Sequence, residues 1–464
     1  MISETMMGSD GVFNPEQIAT WCSGRWVSAP PSCIEGVSHD TRTLRAEDLY
    51  VAIRGDRFDG HAFVEDAFAR GAAGCVVDAA HPTVTPAGPL LVVDDPRIAL
   101  GCMASGYRAQ HDARLVGVTG SAGKTTVVAM LAGIVSQVFP TATTLGNWNN
   151  DIGLPLSLLN MDPADEIGVF EVASNHPGEI ASLCRILKPD VGLVTNIGLA
   201  HMEFFDDLEA VATEKSALLE ALPSDGSAVI VGDAPFASRL REIAQCAVIT
   251  VACAGEADYM TTVPDAEGLV EIRETSSGES LEVRLPIPGR HSALNAAMAV
   301  AASRLLNTPW EAVESGLKSF VPCPMRWETV DFRGVTVIND AYNANPLSMR
   351  AALQAFAALS ASGRKWLVLG DMRELGESAR AAHASLGEEI ARADWSELIT
   401  IGEQGAGIGR AVQGVESTSI RVRVCDEPSD AAAILKDEAR SGDAVLLKAS
   451  RAVQLENIIA LLLA

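Results

Sequence analysis

One glycine-rich segment has the residue types that hold a phosphate group. Gly117–Thr126, read as GVTGSAGKTT, lies between an apolar run and a helical stretch. Glycines let the backbone curl so that its N–H groups point inward, and a helix N-terminus adds positive potential. Lys124 can neutralise phosphate oxygens, and the hydroxyl of Thr125 can bind Mg²⁺. The candidate phosphate-binding residues are Gly120, Ser121, Ala122, Gly123, Lys124, Thr125 and Thr126.

The glycine spacing of this segment departs from the strict Walker pattern, which requires glycine five positions before Gly123. Val118 occupies that position, and glycines stand at Gly117 and Gly120 instead. An ordinary glycine-rich turn is the alternative. The apolar strand before the segment, the helix after it and the Gly-Lys-Thr ending favour a phosphate loop.

A single carboxylate ends another apolar run. Glu171 follows residues 168–170, at the C-terminal edge of a predicted parallel strand. Sheets of α/β proteins bind ligands at this edge, so Glu171 is a candidate Mg²⁺ ligand. The alternative is an acidic residue that ends a strand merely for solubility.

The elements that position these residues follow an alternating pattern. Short β-branched runs alternate with helical stretches from residue 114 onward, which predicts parallel βαβ units. The predicted strands are Leu115–Val118, Val169–Val172, Val191–Asn196 and Ala228–Val231 and, after Pro322, Val335–Ile338, Trp366–Leu369, Leu398–Ile401 and Ala444–Leu447. The N-terminal part differs, with several short strands such as Leu90–Val93 and a charged ridge over residues 48–61.

We therefore predict an α/β protein of three domains. Residues 1–113 form a small α/β domain, and residues 114–322 form a central P-loop domain with a mostly parallel sheet. Residues 323–464 form a Rossmann-like α/β domain. A chain of 464 residues is too long for one ordinary core, which agrees with several domains.

Composition excludes some classes of function. The formal net charge of −25 disfavours nucleic acid as a partner, because such partners require a basic footprint. No apolar run approaches the roughly 18 residues of a membrane span, and the N-terminal residues lack a signal-peptide pattern. We expect a soluble, cytoplasmic protein. The nine cysteines form no CxxC pair and are predicted to be reduced and mostly buried.

Motifs along the whole chain resemble the Mur ligase family, and its MurF type in particular. Beside the phosphate loop, the matching segments are Gly146–Pro155 (GNWNNDIGLP), Asn175–Ile180 (NHPGEI), Asn196–Gly198 with His201, Asp340–Pro346 (DAYNANP) and Leu369–Glu377 (LGDMRELGE). Ser38–Arg42 and Arg57–His61 resemble segments with which such enzymes grip a UDP-sugar. From the residues alone, a solvated charged ridge is the alternative for this first domain.

The resemblance implies an ATP-dependent ligase of peptidoglycan precursor synthesis. Such an enzyme phosphorylates a carboxylate of UDP-muramoyl-tripeptide, and the amine of D-alanyl-D-alanine then displaces the phosphate. It implies ATP and two Mg²⁺ as cofactors and a monomeric chain. Another ligase of the superfamily is one alternative, although the MurE-type Asp-Asn-Pro-Arg motif is absent from the sequence and folylpolyglutamate synthetases lack the first domain.

The resemblance also assigns roles to single residues. Thr125 and Glu171 match the ligands of one Mg²⁺, while His201 and Lys215 match those of the other. Lys215 serves there as a carbamate formed with CO₂, because an ammonium would repel the metal. From the residues alone, a surface lysine on a helix over residues 208–222 is the favoured interpretation of Lys215.

Nucleotide and substrate contacts complete the implied site. The nucleotide-binding candidates outside the loop are Asn295, Arg326 and Asp340. The substrate-binding candidates are Ser38, Asp40, Arg42, Arg57, Asn149, Asn150, Asn343, Asn345, Lys448, Ser450 and Arg451. The chain departs from the family's usual residues at Ala173, Leu199, Phe204, Ser292 and Ala449.

A nucleotide-dependent switch without ligase turnover is the alternative from another class. A switch needs the phosphate loop but not the other matching residues. The retained set Lys124, Glu171, His201, Lys215 and Arg326 therefore favours an enzyme.

Overall fold

The computed structural model describes residues 12–55, 58–80, 88–265, 267–416 and 418–464. The substrate-binding candidate Arg57 lies outside the described residues. Helices and strands alternate along most of the chain and form three sheets, in agreement with the predicted α/β class.

The first sheet has five strands in the order β1-β5-β4-β3-β2, in which β2 to β5 are parallel and β1 is antiparallel to β5. The strands are β1 (Arg25–Trp26), β2 (Gly36–Ser38), β3 (Asp48–Val51), β4 (Gly74–Asp78) and β5 (Leu90–Val93). The helices are α1 (Pro15–Trp21), α2 (Val64–Ala69) and α3 (Pro96–Arg108). Helices α1 and α3 begin where they do because Asn14 and Asp95 cap the first-turn N–H groups and proline follows each cap.

The second sheet has nine strands in the order β14-β13-β12-β11-β10-β9-β6-β8-β7. Its strands are β6 (Arg114–Thr119), β7 (Thr141–Thr143), β8 (Ile167–Glu171), β9 (Val191–Val194), β10 (Ser227–Val231), β11 (Ala247–Ala252), β12 (Tyr259–Thr261), β13 (Leu269–Glu274) and β14 (Ser280–Arg284). Its helices are α4 (Lys124–Val135), α5 (Gly153–Leu159), α6 (Glu179–Leu187), α7 (Leu208–Glu220), α8 (Ala237–Ile243), α9 (Arg290–Leu305) and α10 (Trp310–Lys318). The antiparallel strands β13 and β14 extend the sheet beyond its parallel part.

The third sheet has six strands in the order β15-β16-β20-β17-β18-β19, all parallel except β15. Its strands are β15 (Glu328–Phe332), β16 (Val335–Asn339), β17 (Lys365–Gly370), β18 (Glu397–Ile401), β19 (Arg421–Cys425) and β20 (Ala444–Lys448). The helices are α11 (Pro346–Ala358), α12 (Ala379–Ala391), α13 (Gly405–Gln413), α14 (Pro428–Glu438) and α15 (Glu456–Leu463). Buried apolar side chains form one core cluster on each face of this sheet, and such two-sided burial is typical of parallel sheets.

All nine predicted strands are present, with ends shifted by up to two residues. For example, the run predicted as Val169–Val172 is observed as Ile167–Glu171. The strands that the sequence reasoning missed are mostly short or lie near a sheet edge, such as Thr141–Thr143. Edge strands such as β7 and β15 are only partly buried, so their apolar patterns are weak.

Internal contacts divide the chain into two compact units. Unit 1 comprises Met1–Gly117, Phe139–Ala173 and Glu179–Asp190, and unit 2 comprises Val118–Val138, Ser174–Gly178 and Val191–Ala464. The predicted domain ends at residues 113 and 322 stay predictions.

The nine cysteines are free thiols, as predicted, but the expectation that most are buried was wrong. Cys75, Cys184 and Cys425 are buried, Cys102 is exposed, and the other five lie between these extremes. Several therefore sit at element ends or on helix faces rather than in a core. Within the described ranges, no helix has the length and apolarity to cross a membrane.

Candidate active site

The phosphate loop of unit 2 is braced by the end of β9. Ala122 donates its N–H to Asn196 Oδ1 and accepts a bond from Asn196 Nδ2, both at 2.9 Å. The hydroxyl of Thr195 donates to the same carbonyl at 2.6 Å, and Ser121 N donates to the carbonyl of Asn196 at 3.1 Å. The predicted nucleotide contacts of Ser121 and Ala122 stay predictions, since both N–H groups already donate within this brace.

Two glycines of the loop are required by its geometry. Gly120 has φ 143°, and a Cβ there would lie 2.0 Å from Thr195 Oγ1. Gly123 has φ 84°, and a Cβ there would lie 2.9 Å from Asn295 Oδ1. Val118, which departs from the Walker pattern, is a fully buried residue of β6 and needs no such freedom. The structure thus brings the nucleotide candidate Asn295 against the loop.

Helix α4 presents its positive end directly after the loop. It begins at Lys124, and the N-cap Gly123 supplies no side-chain bond to the first-turn N–H groups. The N-terminus of an α-helix carries positive potential and directs N–H groups outward, which makes this end suited to an anion. Lys124 Nζ donates to Gly120 O at 2.8 Å, so the ammonium lies over the loop. Thr125 and Thr126 belong to the first turn of α4.

In unit 1, a buried carboxylate lies beside the asparagine-rich segment. Glu171 ends β8, is 3% exposed, and accepts a bond from Asn149 Nδ2 at 2.8 Å. Its N–H donates to Thr144 Oγ1 at 2.7 Å. Asn150 accepts from Gly153 N at 2.9 Å, so its side chain holds the first residue of α5. The structure therefore groups Glu171 with Asn149, whereas Asn150 holds the local backbone.

Lys215 is buried in unit 2, so the surface-lysine alternative is wrong. The side chain lies on α7, is 2% exposed, and donates from Nζ to Ser174 Oγ at 2.9 Å. Its neighbour Glu214, also buried, accepts a bond from Gly178 N at 2.6 Å. An ammonium taken out of water is costly, which marks this position as specialised.

His201 lies in close contact with a residue of the LGDMRELG segment. Its Nδ1 lies 2.6 Å from Glu374 Oε2. The imidazole of His201 beside it holds the pKa of the Glu374 carboxyl below its ordinary value, against the opposing effect of burial. A second contact within unit 2 joins the phosphate loop to the start of α11, where Asn345 Nδ2 donates to Ser121 O at 3.1 Å. Asn345 also caps α11 through its Oδ1.

The carboxyl ends of β16 and β20 carry a charge pair between the buried Lys448 and the partly exposed Asp340. Lys448 Nζ lies 2.7 Å from Asp340 Oδ2 and donates to Asn343 O at 3.1 Å. His291, at the start of α9, has its pKa lowered to about 4, chiefly by loss of hydration and further by Lys448, while Asp340 opposes the shift. This imidazole is therefore neutral at pH 7.

The remaining candidates of unit 2 lie close to this pair. The guanidinium of Arg326 stacks over the ring of Tyr342, with 4.1 Å between the guanidinium carbon and the ring centroid. Arg451 pairs with Glu456 at 2.7 Å and is more than half exposed. Ser450 is buried, and its hydroxyl accepts from Arg373 N at 2.8 Å. Substrate binding by Ser450 and Arg451 stays a prediction.

Three family models match the chain in sequence order. The Mur ligase family catalytic domain matches residues 33–108, the Mur ligase middle domain matches residues 118–303, and the Mur ligase glutamate ligase domain matches residues 325–451. A UDP-N-acetylmuramoyl-tripeptide–D-alanyl-D-alanine ligase of Bacillus subtilis (strain 168) is 35% identical over 435 residues, which cover 92% of each chain. This chain belongs to the Mur ligase family.

Solved structures of Mur ligases agree in fold over nearly the whole chain. MurF from Acinetobacter baumannii superposes with a TM-score of 0.88 at 28% identity, covering 97% of this chain and 99% of that one. MurF from Thermotoga maritima, solved in complex with ADP, has a TM-score of 0.80 at 29% identity, covering 92% and 96%. The predicted family and fold class are confirmed.

The first-domain candidates form a compact turn in unit 1. Asp40 accepts bonds from the backbone and side chain of Arg42, which lower the pKa of the Asp40 carboxyl to about 2. Ser38 Oγ donates to Asp40 O at 3.2 Å. The Arg42 side chain is 84% exposed. The ring of His39 lies edge-on to that of Trp148, with 5.8 Å between centroids, so this turn adjoins the asparagine-rich segment.

Part of the LGDMRELG segment has a structural role that the sequence reasoning did not identify. Asp371 is buried and accepts bonds from Gln404 N and Gly405 N at 3.0 and 2.8 Å, which ties β17 to the start of α13. His383 accepts from Met372 N at 2.9 Å. The sequence reasoning also gave no role to Asn196, although a polar residue just past a strand end would have been the signal for one.

The four predicted metal ligands stay a proposal. Among the residues that the structure describes, no three His, Cys, Asp or Glu side chains gather as a metal-binding cluster. Thr125 and Lys215, two of the four predicted ligands, are of other residue types.

Proposed function

We propose that this chain joins D-alanyl-D-alanine to UDP-N-acetylmuramoyl-tripeptide at the expense of ATP, in cytoplasmic peptidoglycan precursor synthesis. The observation that carries this proposal is the match to a ligase of that name over 92% of the chain. The braced phosphate loop and the charged residues around it support it, because a binding protein would need the loop alone.

The reaction must bring two anions together. A carboxylate oxygen of the tripeptide attacks the γ-phosphorus, its O–P bond forms, and the bond to the ADP oxygen breaks. The amine of the dipeptide then attacks the acyl carbon, loses a proton, and phosphate leaves with both electrons of the C–O bond. Lys124 and the N-terminus of α4 offset the negative charge of the phosphates during the first step.

Three of the proposed metal ligands can offer the oxygen donors that Mg²⁺ prefers: the hydroxyl of Thr125, the carboxylate of Glu171 and a carbamate of Lys215. We propose that Thr125 and Glu171 hold one ion, and that His201 and Lys215 hold the other. The Glu171 carboxylate is buried at the end of β8 and carries oxygen atoms of the kind that Mg²⁺ prefers. When bound, Mg²⁺ supplies positive charge between the nucleotide and the carboxylate that receives its γ-phosphate.

Lys215 fits this role only after chemical conversion. A neutral amine adds to CO₂ and loses a proton, and the resulting carbamate carries oxygen ligands and a negative charge. The burial of Lys215 and its hydroxyl neighbour Ser174 support the proposal, because the hydroxyl can accept from an amine or donate to a carbamate oxygen. Glu214 and Lys215 are thus both inward-facing positions of α7.

Residues around the nucleotide and substrates complete the proposal. Arg326 suits a nucleotide phosphate, since its planar guanidinium forms paired bonds with phosphate oxygens. Asn295 and Asp340 are proposed nucleotide contacts, and Asn343 and Asn345 are proposed contacts of the two joining peptides. The first-domain turn at residues 38–42 is the proposed contact of the UDP-sugar.

The test is phosphate release with Mg²⁺, ATP and UDP-muramoyl-tripeptide, with D-alanyl-D-alanine compared against D-alanine, L-lysine and diaminopimelate. Turnover with the dipeptide alone is expected. Lys124→Ala is expected to lower kcat at least about 100-fold, while the exposed Lys436→Ala serves as the matched control. Turnover with a single amino acid would assign a sister ligase, and nucleotide binding without turnover would favour a switch.

A further inference from the structure

Arg326 stands in a turn whose backbone conformation is closely fixed. Met325 and Trp327, on either side of it, have φ 58° and 60°, in the left-handed region that residues with a β-carbon seldom adopt. Met325 N donates to Glu328 Oε2 at 3.0 Å, and the side chain of Trp327 is buried in a core cluster of the third sheet. The surrounding structure therefore determines where the Arg326 side chain leaves the backbone.

The aromatic ring of Tyr342 lies beneath the end of this side chain. The guanidinium carbon of Arg326 is 4.1 Å from the ring centroid, within the range of a cation–π contact. A backbone bond joins the same two segments, because Tyr342 N donates to Met325 O at 3.2 Å. Both side chains are intermediate in exposure, so water screens the contact only in part. The ring is thus the group that holds the guanidinium.

The guanidinium of Arg326 keeps its hydrogen-bond donors available. Within the described ranges of the chain, no residue accepts a hydrogen bond from this group or forms an ion pair with it. Two other arginines follow strands of the third sheet, and both have a carboxylate partner. Arg373 lies 3.0 Å from Asp371 Oδ2, and Arg451 lies 2.7 Å from a carboxylate oxygen of Glu456. Because an aromatic face attracts a cation without supplying an acceptor oxygen, the N–H groups of Arg326 remain for an anion.

The pair lies at an edge of the third sheet that suits a ligand. Tyr342 follows β16, and parallel sheets of α/β proteins bind ligands beyond the carboxyl ends of their strands. A guanidinium that is already placed loses less conformational freedom when it binds phosphate oxygens. We propose that Tyr342 is a positioning residue for Arg326, whose ring holds the guanidinium where its N–H groups bind a phosphate of the nucleotide. This inference rests on the proposed function, in which Arg326 contacts such a phosphate.

The decisive measurement is a double-mutant cycle in nucleotide affinity, by titration calorimetry with Mg²⁺ and a non-hydrolysable ATP analogue. Tyr342→Leu and Tyr342→Met, which retain apolar volume without an aromatic face, are expected to lower the affinity about 3–30-fold. Tyr342→Phe retains the face and should stay within about twofold of wild type. In an Arg326→Ala background, Tyr342→Leu should change the affinity by less than about twofold, because the cation that the ring holds is gone.

Inorganic tripolyphosphate separates the phosphates of the nucleotide from its base. It has neither ribose nor adenine, and competition against the ATP analogue gives its affinity. Tyr342→Leu is expected to weaken tripolyphosphate binding by the same factor as binding of the analogue. An unchanged tripolyphosphate affinity would mean that the ring contacts the base, and it would overturn the positioning role.

Turnover supplies a further readout. In Tyr342→Leu, kcat/KM for ATP is expected to fall about 3–30-fold, while KM for the UDP substrate stays within about threefold. Tyr342→Phe is expected to restore the rate. Trp310→Leu is the matched control, since it removes another ring beneath an arginine, on α10, where the guanidinium carbon of Arg304 lies 5.2 Å from the ring centroid. Thermal melts of each variant report whether the fold is retained.

The two levels of inference fail separately. Wild-type affinity in both Tyr342→Leu and Tyr342→Met, or an equal loss with and without Arg326, would overturn the positioning role while the proposed function stood. Wild-type affinity in Arg326→Ala would overturn it as well, because the guanidinium would then bind no phosphate. Coupling between Tyr342 and Arg326 in a chain without dipeptide-dependent turnover would support the positioning role and reject the proposed function.

Discussion

Asn196→Ala tests whether the brace behind the phosphate loop sets the affinity for nucleotide. The variant removes two bonds to Ala122, each 2.9 Å long. A hydrogen bond contributes about 1 kcal/mol net, so the loss amounts to about 2 kcal/mol. If nucleotide binding must then order the loop, the free energy of nucleotide binding becomes weaker by this about 2 kcal/mol. Since tenfold corresponds to about 1.4 kcal/mol, ATP affinity should fall about 30-fold.

The assay is titration calorimetry with ADP together with KM for ATP in the phosphate-release assay. KM for the UDP substrate should stay unchanged, because Asn196 bonds to Ser121 and Ala122 of the phosphate loop. Asn160→Ala is the matched control, since it also removes an asparagine that donates to a carbonyl, here Leu156 O, but away from the loop. An ADP affinity within threefold of wild type in Asn196→Ala would refute the reasoning.

Three further outcomes follow from ionisable groups of unit 2. Lys448→Ala should lower the free energy of unfolding by about 3–5 kcal/mol, because it leaves the Asp340 carboxylate without its buried partner; urea unfolding measures this, and a loss below about 1 kcal/mol would contradict it. His291 has a pKa of about 4 in the folded chain against 6.5 in the unfolded chain, so the folded chain binds fewer protons, and stability is retained above about pH 6.5 and lost as pH falls towards 4. In thermal melts, the melting temperature of His291→Gln should fall less than that of wild type between pH 6.5 and pH 4. An equal fall in both proteins would reject the assignment. Removal of CO₂ from the buffer should lower turnover and bicarbonate should restore it if Lys215 acts as a carbamate, whereas CO₂-independent turnover would exclude that form.

Much of the architecture follows from local patterns. The phosphate loop, the β-branched strands and the helices after them each carry their signal within a few residues, and so all nine predicted strands are present. Strands such as β7 and β15 lie at sheet edges and are only partly buried, so their alternation is weak. Helices α1 and α3 each begin after an asparagine or aspartate cap followed by proline, and this pattern could have predicted where they start.

The sequence by itself determined the chemical types at the site and the family: lysine and glycine for phosphate, a strand-ending carboxylate, and motifs that match Mur ligases along the chain. Only the tertiary structure decided that Lys215 is buried against Ser174, that Asn196 braces the loop, and that Glu374 meets His201. The physical reason is that burial and hydrogen bonding depend on which distant segments come together. The partners of His201 and Lys215 are 173 and 41 positions away, beyond the reach of any local pattern.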